Sequence, residues 1–297
     1  MSVTHFVSYL EIEKKYSKHT IVAYEKDVLD FQEFLLNTYE TEALEEVHYA
    51  MIRSWVVSLV GKGIQNASVN RKIASLKAFY AYLLKIGCVE KSPLQQHRAL
   101  KTKKSIALPF SEAEMGDVLS AEVFLNDFEG CRDKLIIELL YSSGIRRAEL
   151  IGLKIQDIDL QRKRMKVLGK RNKERIIPLL HGIIPLIESY LELRSELAFL
   201  QDHSYFFLLK TGKKLYETFV YRLINRYFSK VSTKLKKSPH MLRHTFATHL
   251  LNEGASMQAV KELLGHSSLA STQVYTHNDV ARLKKAYLES HPRNQKS

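Results

Sequence analysis

Two prolines, Pro93 and Pro109, bracket a basic stretch without any sustained hydrophobic period, SPLQQHRALKTKKSIALPF. Proline removes a backbone donor and disfavours a helical conformation in the residue before it, so a regular element does not continue through such a segment. The stretch predicts a linker at residues 91–106 between two parts that each bury their own core. These parts are residues 1–90 and residues 107–297.

The first part has the pattern of a helical domain. Apolar residues such as Ile21, Val28 and Leu35 recur every three or four positions along one segment, which places them on one face of a helix. A second such pattern begins at Val69 and stops at Gly87. The sequence therefore predicts an all-α N-terminal domain.

The second part has a mixed pattern. GCRDKLIIELLYSSG predicts a buried helix that ends at Gly144. Short apolar segments near residues 158–160, 165–167 and 176–177 are separated by polar turns and predict a small antiparallel sheet. Helical patterns resume near residue 183 and run to the end. The expected fold class is two domains, all-α followed by mixed α+β with a small antiparallel sheet.

Positive charge is concentrated in the middle of the chain. The protein has 45 Lys and Arg against 32 Asp and Glu, and residues 62–104 alone hold ten against one. Such a block predicts a polyanionic partner, most simply nucleic acid, although a solubilising surface is the alternative interpretation. The candidate contacts lie on the second helical segment and the linker: Arg71, Lys72, Lys77, Lys101, Lys103 and Lys104.

Other features narrow the class of protein. The two cysteines, Cys88 and Cys131, have no metal or redox spacing and favour a reducing compartment. No apolar run approaches the roughly 18–20 residues that a membrane span needs. The first residues lack a basic leader followed by an apolar core, so we expect a soluble, cytoplasmic protein that is associated with the nucleoid and has no membrane partner.

The segment HMLRHTFATHLL reads as the start of a helix and gathers His240, Arg243 and His244 on one side. Helix N-termini attract anions, so this is a phosphate site in outline. A zinc hydrolase is the competing interpretation, since His240 and His244 are four residues apart, but the hydrolytic motif has Glu where this chain has Met241. We expect His244 and His249 to be core histidines that bond to backbone.

A second segment, LLGHSSLASTQVYTH, places His266 just after a helix that ends at Gly265. Tyr275 follows in the last turn of the next predicted helix. A tyrosine hydroxyl, with an ordinary pKa near 10, becomes a nucleophile when cations lower that pKa or a base removes its proton.

These two segments, with YSSGIRRAEL and GKRNKERIIPL before them, resemble the tyrosine recombinases of the phage integrase family over nearly the whole chain. The resemblance is strongest to the bacterial XerC/XerD recombinases. It implies DNA cleavage and rejoining through a 3′-phosphotyrosyl intermediate, without a metal or another cofactor. It also implies six catalytic residues: Arg146, Lys170, His240, Arg243, His266 and the nucleophile Tyr275.

The implied roles follow the chemistry of a phosphodiester. The two arginines hold the non-bridging oxygens, which gain charge in the transition state. His240 helps to deprotonate the tyrosine, Lys170 protonates the leaving 5′-oxygen, and His266 bonds the scissile phosphate.

This sequence departs from the family pattern at two positions. Arg171 stands where the family usually has Gly, so it either alters a hairpin turn or adds a phosphate contact. Lys173 is accordingly an alternative to Lys170. Arg147 follows the first catalytic arginine, and we expect it to point elsewhere and not to replace Arg146.

The resemblance further implies a core-binding domain at residues 1–90 and a catalytic domain at residues 107–297. The last helix, with Val280, Leu283 and Tyr287 on one stripe, contacts a neighbouring subunit in the family; packing on its own domain is the alternative. The implied partners are double-stranded DNA with a dif-like site, a second Xer recombinase in a tetramer, and a DNA translocase as a candidate activator.

Chromosome dimer resolution, with this chain as the C-type partner, is the expected role. The alternatives are an integrase or transposase of a mobile element, with the same chemistry, and a non-catalytic DNA-binding protein. An integrase often carries an arm-binding domain before the core-binding domain, whereas this chain begins with the latter, which favours the Xer role.

Overall fold

The chain folds as two compact units, Met1–Ser105 and Ile106–Ser297. The computed structural model describes these residues: 3–102, 108–120, 123–169, 173–234, 236–265, 287 and 290–293. Within these ranges, no helix combines the length and apolar character needed to cross a membrane.

The first unit is helical. Its α-helices in the described residues are α1 (Val3–Ile12), α2 (Lys18–Tyr39), α3 (Tyr49–Gly61) and α4 (Asn66–Lys85). Ser17 caps α2 by accepting a hydrogen bond from the backbone N–H of Thr20. The predicted apolar face of α2, with Ile21, Val28 and Leu35, is buried in the core of this unit. The predicted all-α N-terminal domain is thus confirmed.

The basic stretch after α4 is bound to the first unit. Asn70 pairs with the backbone of Leu100 in both directions, each bond 2.9 Å long. The side-chain amide of Asn66 donates to the carbonyl of Lys101 at 2.8 Å, and Leu94 is buried in the core. Two asparagines on α4 therefore fix the course of this stretch up to Lys101.

The second unit combines helices with one sheet. Its α-helices in the described residues are α5 (Glu112–Leu119), α6 (Phe128–Ser143), α7 (Arg147–Gly152), α8 (Ile184–Ser195), α9 (Glu217–Val231), α10 (Pro239–Asn252) and α11 (Met257–Leu264). Its strands there are β1 (Ile158–Asp159), β2 (Arg164–Leu168) and β3 (Glu174–Pro178). The strands pair antiparallel in the order β1-β2-β3, which confirms the predicted fold class.

The register of the sheet follows the apolar alternation. Met165 lies opposite Ile177, and both side chains are fully buried. Val167, two residues after Met165, is buried on the same face. The β2–β3 hairpin begins where the N–H of Gly169 donates to the carbonyl of Lys173 at 2.8 Å.

The central helix, α6, is buried along most of its length. Gly144 ends it in the left-handed conformation, with φ of +61°, as the sequence predicts. A Cβ at Gly144 would lie 2.3 Å from a ring carbon of Phe246 on α10. The glycine therefore supplies both the backbone turn and the room for α10 to pack.

Two expectations were wrong. Residues 196–216 are not helical: Tyr205 forms an isolated bridge to Lys154, and Leu208 forms one to Lys214. His244 is exposed, because α10 buries Leu242 on its opposite side and turns His244 to solvent. His249 is buried as expected, and its ring nitrogens bond to another residue's hydroxyl and to a backbone carbonyl.

Residues near the C-terminus pack on their own unit. Tyr287 is buried, and its hydroxyl donates to the carbonyl of Ser142 on α6 at 2.5 Å. Arg293 forms two hydrogen bonds with the carboxylate of Glu138, at 3.0 and 3.1 Å. Val280 and Leu283, from the same predicted stripe, lie outside the described residues.

Candidate active site

The first turn of α10 places two of the predicted site residues. Ser238 caps the helix by accepting from the N–H of Met241, and Pro239 occupies the first helical turn, where its missing N–H costs little. His240 is exposed at this end. Arg243, three residues on, is only 6% exposed.

Arg243 is fixed by two backbone carbonyls. Its terminal nitrogens each donate one hydrogen bond of 2.6 Å, one to Gly144 after α6 and the other to Leu264 at the end of α11. Helix C-termini carry partial negative charge, so they suit a cation. Burial, followed by the nearby charge of Arg146, lowers the pKa of Arg243 to about 10. Its side chain therefore remains charged at neutral pH.

Arg146 lies two residues after Gly144 and is the N-cap residue directly before α7. Its Nη1 donates to Oε1 of Glu149 at 2.9 Å, and its backbone N–H donates to Oε2 at 2.8 Å. The side chain of Arg146 is 38% exposed. Its guanidinium is thus anchored at one edge and accessible to solvent elsewhere.

Glu149 joins Arg146 to a second arginine, Arg175 of β3. Arg175 donates from both terminal nitrogens to the two oxygens of Glu149, each at 2.9 Å. Its Nε donates to the carbonyl of Leu263 at 3.0 Å. Burial alone would raise the pKa of Glu149, but the bonds from Arg175 and Arg146 outweigh it and hold that pKa below its usual range.

Sequence reasoning missed this pair of residues, although each carried a signal. Glu149 stands three residues after Arg146, the spacing at which a carboxylate reaches back to the start of a helix. Arg175 alternates with Ile177 and so shares its inward face of β3. A charged residue at an inward strand position requires a buried partner.

The cluster carries an excess of positive charge. Arg146 and Arg175 both bond the buried carboxylate of Glu149, and the charges of all three act on Arg243. Three guanidinium groups thus face one carboxylate charge. A phosphate group suits planar donors of fixed charge.

Comparisons with known proteins agree with this chemistry. Residues 120–282 match the model of the phage integrase family, and residues 3–87 match its N-terminal SAM-like domain. The chain is 38% identical to the tyrosine recombinase XerC of Chlorobaculum parvum, over 97% of this chain and 93% of the relative. The chain belongs to the phage integrase family of tyrosine recombinases. It is therefore an enzyme that breaks and rejoins DNA.

Other relatives are also tyrosine recombinases. XerC of Staphylococcus carnosus is 38% identical over 98% of this chain and 97% of the relative. Among solved structures, one match is the XerH site-specific recombinase bound to palindromic difH substrate in a post-cleavage complex. Its TM-score is 0.72 at 22% identity, and the match covers 96% of this chain and 84% of that one. The Tn1549 transposon integrase, bound to transposon right end DNA, has a TM-score of 0.71 at 19% identity, with 96% and 99% covered. These structures share the fold of this chain.

Several predicted site residues of the recombinase lie outside the described residues: Lys170, Arg171, His266 and Tyr275. Their neighbours are placed. Gly169, which directly precedes Lys170 in the sequence, bonds Lys173 across the hairpin. Gly265 ends α11 with φ of +64° and directly precedes His266 in the sequence. Both neighbouring glycines lie beside the guanidinium of Arg175.

Arg147 points away from the arginine cluster, as expected. It donates to a carboxylate oxygen of Glu217 at 2.5 Å, whereas Arg146 bonds Glu149. His240 and His244 are both exposed on α10. In the part of the chain that the structure describes, no group of three His, Cys, Asp or Glu side chains is arranged to hold a metal ion.

The predicted DNA contacts in the first unit differ in their surroundings. Arg71 and Lys72 both bond the buried carboxylate of Asp27, at 2.5 and 2.8 Å for Arg71 and 3.0 Å for Lys72. Burial would raise the pKa of Asp27, but bonds from Arg71, Ser75 and Lys72 outweigh it and hold that pKa below its usual range. Part of the charge of Arg71 and Lys72 is therefore balanced within the protein.

The remaining candidates in this unit are less engaged with carboxylates. Lys77 donates to the carbonyl of His97 at 3.5 Å, and Lys101 is exposed. Lys103 and Lys104 lie outside the described residues.

Proposed function

We propose that this recombinase cuts and rejoins DNA with Tyr275 as nucleophile, at a dif-type site in the resolution of chromosome dimers. The observation that carries the catalytic part is the arginine cluster: Arg146 bonds Glu149, and the charges of both act on the buried Arg243. It lies where three elements meet, next to the helix end that leads into His266.

In the cleavage step, the phenolic oxygen of Tyr275 attacks the scissile phosphorus, and the bond from phosphorus to the 5′-oxygen breaks. Arg146 and Arg243 bind the non-bridging oxygens, which gain negative charge in the transition state. His240 takes the tyrosine proton and Lys170 gives one to the leaving oxygen. His266 adds a hydrogen bond to the phosphate.

The products are a 3′-phosphotyrosyl link and a free 5′-hydroxyl. A 5′-hydroxyl of the second duplex then attacks the link and releases Tyr275, so one phosphodiester is exchanged for another. The link conserves the energy of the original bond, and no metal or nucleotide is needed to drive the step.

The Xer role is supported by relatives named XerC at 36–38% identity over nearly the whole chain. On this basis we assign the C-type position beside a second Xer recombinase in a tetramer on a dif-like duplex at the nucleoid, with a translocase as activator. Residues 1–90 serve as the core-binding domain, the basic stretch at 91–106 as a strap on DNA, and residues 107–297 as the catalytic domain. Arg71, Lys72, Lys77, Lys101, Lys103, Lys104 and Arg171 are assigned to DNA binding.

The test is covalent adduct formation. The protein is incubated with a nicked dif-like duplex from which the short cleaved strand diffuses away, so that the adduct accumulates. We expect an adduct with the wild-type protein and none with Tyr275→Phe, while binding to non-specific duplex is unchanged. An adduct that still forms with Tyr275→Phe would refute the assignment of Tyr275 as the nucleophile.

The site is tested separately from the chemistry. Footprinting across the host genome should find protection at one dif-like site. If protection is found at the ends of a mobile element instead and the tyrosine adduct still forms, the proposed chemistry stands. The proposed Xer role is then replaced by that of an integrase.

A further inference from the structure

We propose that Arg175 is a positioning residue for cleavage, which sets the geometry of the groups that bind the scissile phosphate. The inference rests on the proposed function, since it assigns a role relative to Arg146 and His266. Arg175 does not itself contact DNA.

All three nitrogens of the Arg175 guanidinium bond within the protein. Two reach the carboxylate of Glu149 at 2.9 Å, and Nε reaches the carbonyl of Leu263 at 3.0 Å. The side chain is 10% exposed. A guanidinium with all three nitrogens engaged in this way is suited to orienting its neighbours.

The same guanidinium lies beside the backbone at two glycines. A Cβ at Gly169 would lie 3.5 Å from Nη1 of Arg175, and one at Gly265 would lie 3.2 Å from it. Gly169 directly precedes Lys170, and Gly265 directly precedes His266. Arg175 thus lies beside the residue that precedes Lys170 and the residue that precedes His266 in the sequence. Through Glu149, it is also linked to Arg146.

The bonds connect three separate elements. Arg175 belongs to β3, Glu149 to α7, and Leu263 to the last turn of α11. Arg243 bonds the next carbonyl, that of Leu264, at 2.6 Å. The last turn of α11 is therefore held by arginines from two sides, which fixes where the chain leaves for His266.

Loss of Arg175 acts first on the phosphate-binding groups. Glu149 would keep Arg146 as its arginine partner and draw that guanidinium further from an incoming phosphate. The turn before His266 would lose one of its two anchors. Both changes weaken the stabilisation of the non-bridging oxygens, where misplacement of about 1 Å can cost about 10²-fold in rate.

The experiment measures single-turnover adduct formation on the nicked dif-like duplex by wild-type protein, Arg175→Gln and Arg175→Lys. Three scissile groups are compared: the ordinary phosphodiester, a methylphosphonate that lacks one charged non-bridging oxygen, and a 5′-bridging phosphorothiolate whose leaving group needs no acid. The matched control is Arg164→Gln on neighbouring β2, since Arg164 also bonds a carboxylate, that of Asp159, at 3.2 Å.

We expect Arg175→Gln to slow cleavage of the phosphodiester by about 10²-fold, with DNA affinity within about twofold of wild type. Arg175→Lys should fall nearly as far, because an ammonium cannot span the carboxylate and the carbonyl together. The loss should shrink to about tenfold or less on the methylphosphonate and stay unchanged on the phosphorothiolate. Arg164→Gln should cleave all three groups at wild-type rates.

An equal loss on all three groups would mean that Arg175 supports folding only and would overturn the proposal. If the phosphorothiolate restores cleavage, the effect lies in proton donation, and the proposal is overturned. Cleavage by Arg175→Gln at the wild-type rate would overturn the proposal as well. If Arg175→Gln does not fold, the same ratios are taken from Arg175→Lys. Absence of a Tyr275-dependent adduct with the wild-type protein would instead refute the proposed function.

Discussion

The guanidinium of Arg243 donates a hydrogen bond of 2.6 Å to the carbonyl of Gly144, the residue that ends α6 in the left-handed conformation. This bond joins α10 to a helix end two residues before Arg146. Because Leu264 takes the other terminal nitrogen, backbone positions set the direction of the buried guanidinium. The geometry of this cation therefore depends on how three helix ends pack.

Arg243→Lys should abolish most cleavage while the charge is retained. A lysine ammonium cannot span the two carbonyls and also present a planar pair of donors to a phosphate. We expect adduct formation to slow by about 10²–10³-fold, the usual effect of losing one transition-state donor. Single-turnover cleavage and duplex affinity measured together would show this. A parallel loss of affinity would instead mean that the arginine mainly binds DNA in the ground state.

Gly144→Ala should destabilise the second unit. The backbone at Gly144 has φ of +61°, and the added Cβ would meet Phe246 at 2.3 Å. Left-handed strain and overpacking together predict a loss of about 2–4 kcal/mol in the free energy of unfolding. Gly116→Ala in α5 is the matched control, because a Cβ there has open space; it should be neutral or stabilise by up to about 1 kcal/mol. Chemical denaturation of both variants tests the difference.

Glu149→Gln should remove a contribution to stability that depends on pH. The pKa of Glu149 is lower in the folded protein than in the unfolded chain, because its arginine partners favour the carboxylate despite its burial. The carboxylate therefore stabilises the fold above pH of about 4.5, and this contribution is lost as the pH falls through the folded-state pKa.

At neutral pH, the free energy of unfolding of Glu149→Gln should be about 3 kcal/mol lower than that of the wild type. This is near the lower end of the cost of breaking a buried ion pair. The difference should narrow below pH of about 4. Denaturation curves at pH 7, 5 and 3 provide the comparison. A gap of constant size over this range would mean that the carboxylate is not stabilised by its partners.

The elements of the fold could be predicted because their signals are local. The apolar period of α2 and the glycine after α6 each act within a few residues. The pair Glu149–Arg175 spans 26 residues, and Asp27–Arg71 spans 44. Such pairs depend on the packing of separate elements, which no local pattern specifies. For the same reason, the period of α10 located its buried side but did not reveal that His244 faces solvent.

Lys101 and Arg71 should respond differently to removal of their charge. Lys101→Ala is expected to weaken binding to all duplex sequences alike and to reduce the slope of log affinity against log salt by about 0.9, without an effect on stability. Arg71→Ala should lower the free energy of unfolding as well, because the buried carboxylate of Asp27 loses two hydrogen bonds. Fluorescence anisotropy from 50 to 200 mM salt, with denaturation of each variant, separates the two effects. An unchanged salt slope for Lys101→Ala would remove Lys101 from the DNA contacts.

Packing near the C-terminus should weaken in mild acid through His291. The imidazole is 1% exposed and lies among the rings of Tyr141, Phe246 and Tyr287, with centroid distances of 5.3 to 5.8 Å. Its Nδ1 accepts from the N–H of Arg293 at 3.2 Å, so the proton of the neutral ring lies on Nε2. Burial, with smaller effects from the charges of His249 and Arg293, lowers the pKa of His291 to about 4.

The sign of the effect follows from that shift. The folded-state pKa of His291 is below the unfolded value of about 6.5, so neutral imidazole stabilises the packed segment above pH 6.5 and the contribution is lost as the pH falls towards 4. From pH 7 to pH 5 this amounts to about 2 kcal/mol. His291→Gln has no such titration, so its stability should fall less over the same interval. Urea unfolding at the two pH values, together with carboxypeptidase digestion of the last residues, measures the difference. The contrary result would be an equal drop in the free energy of unfolding for wild type and variant, with equal relative rates of digestion. Protonation of His291 would then not release the residues near the C-terminus, and the bonds between Arg293 and Glu138 would hold them instead.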